Sequence, residues 1–153
     1  MFFSRNRIKD LSEATDFEID NINNMTVASR IRRNEYYNNT QYRYEFTIRY
    51  KLHSGNITEI DKIKQGYAKF LFYGFLNNDE TEIIQWVIMD LDYFRRGISN
   101  GVKPINIMIN KDGYARLAVY NITQFAGNMI IAHKGLPTDL QHWIKRSTYN
   151  YEN

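Results

Sequence analysis

Apolar and polar residues alternate strictly through much of the first half of the chain. Phe17 and Ile19 alternate with Asp16, Glu18 and Asp20, which predicts a strand over 16–20 with the two hydrophobes inward. Thr26–Arg33 alternates again, with Val27, Ser29 and Ile31 on one face and Ala28, Arg30 and Arg32 on the other. Arg43–Tyr50 is the clearest strand: Tyr44, Phe46, Ile48 and Tyr50 face one way, and Glu45, Thr47 and Arg49 the other. Ahead of these, residues 4–14 suit a short helix, with Ser4 as N-cap and Ile8 and Leu11 one turn apart.

Beyond residue 54 the pattern changes period. Thr58 and Asp61 form a near capping box for a helix over 59–65 that turns Ile60 and Ile63 inward and ends at Gly66. Two short apolar runs, Ala68–Leu76 and Glu82–Leu91, read as buried strands on either side of a polar turn. One or two helical turns are predicted over 92–98. A hairpin follows, with strands 105–109 and 114–122 joined by Asn110-Lys111-Asp112-Gly113. Met129–Ala132 adds a short strand, and a last helix over 138–146 buries Leu140, Trp143 and Ile144. The expected fold class is α+β (mixed α/β): one domain over 1–146, a central mixed sheet flanked by helices, and a flexible tail over 147–153.

Composition removes whole classes of chemistry. With no cysteine there is no disulfide framework, zinc-thiolate site or thiol nucleophile, so any metal would be a hard, carboxylate-bound ion such as Mg²⁺ or Mn²⁺. The three histidines are scattered without ligand spacing, and neither a Gly-x-Ser-x-Gly elbow nor a Gly-rich phosphate loop is present. No run approaches the roughly 18 apolar residues of a membrane span, and no apolar h-region follows the basic start, which predicts a cytoplasmic protein with no membrane partner.

The net charge of +3 hides an uneven distribution. Residues 30–51 hold Arg30, Arg32, Arg33, Arg43, Arg49 and Lys51 against Glu35 and Glu45, an excess of +4 in a segment laced with Tyr36, Tyr37, Tyr42, Tyr44 and Tyr50. Cations for phosphate beside rings for base stacking are the usual composition of a nucleic-acid surface, DNA more than RNA. If the first three strands pair as a meander, their polar sides share one surface. Glu18, Asp16 and Asp20 then lie beside Arg30 and Arg32, and beside Glu45, Thr47 and Arg49. Two readings stand: a solvated face held by cross-strand charge pairs, or a site for a phosphate or a metal.

The order helix–strand–strand–strand–helix–strand (αβββαβ) over residues 4–91 resembles the restriction-endonuclease-like core of the PD-(D/E)XK nuclease superfamily. The stretches Thr26–Arg33, Glu45–Arg49 and Thr58–Ile63 and the Phe72-Tyr73-Gly74 run are similar to small phage and prophage proteins. That resemblance implies metal bound by Glu18 or Asp20 and by Glu45, with Asp20, Glu45 and Lys62 catalytic. Arg30, Arg32, Arg33, Arg43 and Arg49, with Tyr36 and Tyr37, would hold the nucleic acid. The acid-x-lysine of the superfamily is absent, since Thr47 stands two residues after Glu45, and Lys62 would supply the amine from the next helix. The expected function is therefore a phage-type nucleic-acid-binding protein, either a Mg²⁺-dependent nuclease or a degenerate, inactive relative. The alternative is a non-catalytic accessory or inhibitor protein that binds a host protein through the same basic, aromatic surface.

Overall fold

The computed structural model of the chain describes residues 18–22, 25–52, 54–110 and 113–149. The helix expected over 4–14 lies outside the described residues. Strands β1 (Glu18–Ile22), β2 (Met25–Arg32), β4 (Phe70–Leu76), β5 (Ile83–Asp90) and β8 (Ile130–Lys134) form a five-stranded mixed sheet in the order β1-β2-β4-β5-β8. A second sheet holds β3 (Glu45–Leu52), β7 (Ala115–Asn121) and β6 (Asn106–Ile109), in the order β3-β7-β6. The mixed α+β class and the single domain follow, because both sheets contribute to one buried core.

The expected meander stops after β2. Strand β1 pairs antiparallel with β2, but β2 pairs parallel with β4, and β3 joins β7 with Glu45 opposite Asn121 and Phe46 opposite Tyr120. Burial gives the physical reason. Phe46 and Ile48 are buried on one side of β3, while Glu45 and Thr47 are buried on the other. A strand covered on both sides lies between layers and cannot present a solvated polar face.

The layers are joined largely by aromatic packing. Phe94, from a helix capped by the Asp90 side chain, lies 5.2 Å from Tyr120 and 5.8 Å from Phe46 between ring centroids, and Phe125 sits 5.3 Å from Phe94. Such pairs add about 0.5–1.5 kcal/mol each beyond the area they bury. Strand β4 is buried almost throughout, as expected of a central strand flanked by β2 and β5. Gly74 lets β5 approach: a Cβ there would lie 2.9 Å from Ile83 Cγ2 and 3.1 Å from the Gln85 carbonyl oxygen.

Four helices are described: α1 (Asn34–Tyr37), α2 (Glu59–Lys64), α3 (Leu91–Ser99) and α4 (Thr138–Tyr149). Thr58 donates both its backbone N–H and its hydroxyl to Asp61 Oδ2, so the Asp variant of the capping box starts α2 as the sequence predicts. The same bonds hold the Asp61 carboxyl below the usual carboxylate range. Residues 147–149, expected to lie in a tail, belong to α4, which runs on to Tyr149. Ser147 packs closely over Gly127, and Thr148 Oγ1 donates to the Ile144 carbonyl at 2.8 Å, which continues the last turn. No helix among the described residues is long and apolar enough to cross a membrane.

Candidate nucleic-acid interface

Leaving β2 for β3, the chain crosses from one sheet to the other, and this crossing carries the basic and aromatic residues. Helix α1 and a 3₁₀ turn over Thr40–Tyr44 make up most of it. Asn34 Nδ2 ties its start to the Leu76 carbonyl at 3.1 Å, and Gln85 Nε2 ties its end to the Arg43 carbonyl at 2.9 Å. Asn39 caps the turn by accepting from the Gln41 N–H. A segment that reads in sequence as a tyrosine-rich connection is thus fixed at both ends to the five-stranded sheet.

Two guanidinium–ring stacks stand on this support. The Arg32 guanidinium lies 3.9 Å from the Tyr36 ring centroid, and that of Arg43 lies 3.9 Å from the Tyr37 ring centroid. Arg43 is also held by its Nε donating to the Tyr37 carbonyl at 2.9 Å. Arg32 Nη1 donates to Thr47 Oγ1 at 2.8 Å, and that oxygen is 3.3 Å from the Tyr73 hydroxyl. Stacking leaves the edges of a guanidinium able to donate, so each arginine is pre-set for a phosphate oxygen at reduced entropic cost. Arg33 is 52% exposed and pairs with Glu80 at 3.5 Å, a surface contact worth little in water.

Beside the stacks runs a cleft on the second sheet, with an arm that reaches the first sheet at Arg32, Tyr73 and Phe75. Its wider part has a volume of about 430 Å³ and is walled by Gln41, Tyr42, Glu45, Asn106, Met108 and Val119, with Ile105 at one side. A narrower arm of about 20 Å³ reaches in to Arg32, Tyr36 and Thr47 and shares Tyr42, Glu45 and Met108 with the wider part. The larger volume falls within the roughly 300–1,000 Å³ of small-molecule pockets. Glu45, only 5% exposed, lies where the two parts meet. Burial pushes its carboxyl above the usual range, partly offset by Gln41 Nε2 donating to Oε1 at 2.9 Å.

Not all of the expected site residues gather here. Arg30 is 2% exposed and forms a buried ion pair with Glu59, whose other oxygen accepts the Arg49 N–H at 2.9 Å. A guanidinium enclosed in this way cannot meet a phosphate, so Arg30 is structural. Arg49 lies at the Glu59 end of β3. Lys62 lies one turn along α2 from Glu59, whose carboxylate meets the backbone of β3 at Arg49, four positions on from Glu45. Asp20 is in register with Val27, whereas Glu45 shares its cleft with Arg32, five residues further along β2, or about 16 Å. Glu18 is in register with Ser29, again short of Arg32.

Among the described residues no group of three His, Cys, Asp or Glu side chains could hold a metal ion, and the Arg32 cation in the cleft opposes a dication beside Glu45. What sequence reasoning missed is the far wall of the cleft, Asn106 and Met108, supplied by a strand some sixty positions later. No protein-family model, curated protein or solved structure matches the chain.

Proposed function

We propose that the chain binds single-stranded nucleic acid along the β2–β3 crossing, without metal-dependent cleavage. The observation that carries this reading is the pair of guanidinium–tyrosine stacks, Arg32 on Tyr36 and Arg43 on Tyr37, beside a cleft that Tyr42 lines. Arg32, Arg33 and Arg43 meet the backbone, and Tyr36 and Tyr42, with ring centroids 6.1 Å apart, offer faces to bases. An unpaired strand suits this surface better than a duplex, because its bases are free to enter the cleft.

Salt titration of binding to a labelled oligonucleotide tests the reading. Three phosphate contacts on a single strand give a log–log slope of about −2, and Arg33→Ala makes it shallower by about 0.7. A flat salt response, or no binding of DNA or RNA oligonucleotides at low salt, refutes it.

One observation favours a second reading, a protein-binding module. Ile107 and Ile109 of β6, a sheet edge, and Ile105 just before it are 41%, 67% and 48% exposed. Binding through that edge would be insensitive to salt and would leave Arg32 and Arg43 without effect.

A further inference from the structure

The cleft beside the stacks has a chemistry of its own, which rests on the nucleic-acid reading and goes further. Glu45 is almost wholly buried, yet it lines both parts of the cleft. Its Oε1 accepts from Gln41, while among the described residues no donor reaches Oε2. A carboxylate is an acceptor with about four lone-pair sites, so most of its capacity is unused. Across the cleft, Asn106 spends its Oδ1 on the Ile107 N–H at 2.8 Å, which leaves its amide NH₂ as a donor. Tyr42 supplies a ring in the same wall.

We infer that this cleft takes one unstacked base of a bound strand and selects guanine, with Glu45 accepting from its Watson–Crick edge. Guanine presents N1–H and the 2-amino group side by side, two donors matched to the two oxygens of a carboxylate. Adenine and cytosine each set one amino group beside a ring-nitrogen acceptor, which a carboxylate repels. Thymine and uracil hold a single N3–H between two carbonyl oxygens. The guanine O6, next to N1, is an acceptor suited to the Asn106 amide. Burial of Glu45 strengthens the discrimination, because a wrong base leaves an ionised group desolvated and unpaired. Donors from guanine relieve the same desolvation.

Fluorescence anisotropy at low salt, on oligothymidylates carrying one central dG, dA, dC or deoxyinosine, tests the inference. The dG strand is expected to bind about tenfold or more tightly than the dA and dC strands, in the range of a good bidentate base contact. Deoxyinosine, which lacks only the 2-amino group, should lose most of that advantage. In Glu45→Gln the dG-to-dA ratio should fall close to one, with folding checked by circular dichroism. Should that variant not fold, the inosine strand decides alone. Equal affinity for all four strands overturns the base pocket and leaves the nucleic-acid reading standing. Retained dG preference in folded Glu45→Gln, or in the inosine strand, also overturns it. No binding of any strand overturns both.

Discussion

Replacing Glu59 with alanine should be among the most damaging single changes in the molecule. Glu59 and its partner Arg30 are 4% and 2% exposed, so neither can recover water when the other is removed. Breaking a buried pair from one side costs about 3–5 kcal/mol, because the Arg30 guanidinium then loses the Glu59 carboxylate at a place that water does not reach. The variant also strands the Arg49 N–H that Glu59 Oε2 accepts. Against a typical total of about 5–15 kcal/mol, this removes a large share of the stability. At about 2–4 °C per kcal/mol for a chain of this length, the melting temperature should fall by roughly 6–20 °C. Urea unfolding measures the change directly, provided the slope of free energy against urea is unaltered. The double change Arg30→Met with Glu59→Leu removes both charges and keeps the volume, so it should recover most of the loss. A Glu59→Ala variant within about 1 kcal/mol of the parent would refute the buried-pair account. A double variant as unstable as the worse single would do the same.

Further expectations concern other parts of the fold. Burial raises the Glu45 carboxyl, so its stabilising protonated form is present below the ordinary carboxylate range and is lost as pH rises through the elevated value. Glu45→Gln should therefore unfold at higher urea than the parent near pH 8 and converge with it near pH 4; a constant gap contradicts the cause assigned. The Tyr44 hydroxyl donates to Asp139 Oδ1 at 2.7 Å and holds that carboxyl below its ordinary range. That contribution is present above the ordinary range and lost as pH falls through the lowered value, so Tyr44→Phe should lower thermal stability at neutral pH but not in acid. A Cβ at Gly127 would meet Ser147 Cβ at 2.5 Å, so Gly127→Ala should displace the last turn of α4, seen as faster amide exchange over 144–148.

Local chemistry was legible in the sequence, and long-range pairing was not. The capping residues at Thr58 and Asp61 and the periods of β4 and β5 are set by neighbours a few positions away, so they could be read directly. Strand β3 shows the limit. Its alternation is real, but alternation says which positions share a side, not which sheet the strand joins or whether both sides are covered. Arg30 looked like a phosphate ligand because arginine is rarely buried. Its neutralising partner is 29 positions away and carries no local signal. The basic, aromatic crossing was visible as composition, since Arg32, Tyr36, Tyr37 and Arg43 lie within one short segment. Its cleft was not, because Asn106 and Met108 close it from another strand.

The pairing of β3 with β7 also orders events during synthesis. Residue 45 cannot meet its partner until residue 121 has left the ribosome, a wait on the order of 4–15 s at ordinary elongation rates. Through that interval Phe46 and Ile48 have no strand beside them, while β1, β2, β4 and β5 can already assemble. Four strands of the larger sheet therefore emerge first as a scaffold, on which β7 completes the second sheet and β8 then completes the first. A nascent chain stopped before residue 115 would carry β3 as an open edge, and so a target for chaperones or for another chain.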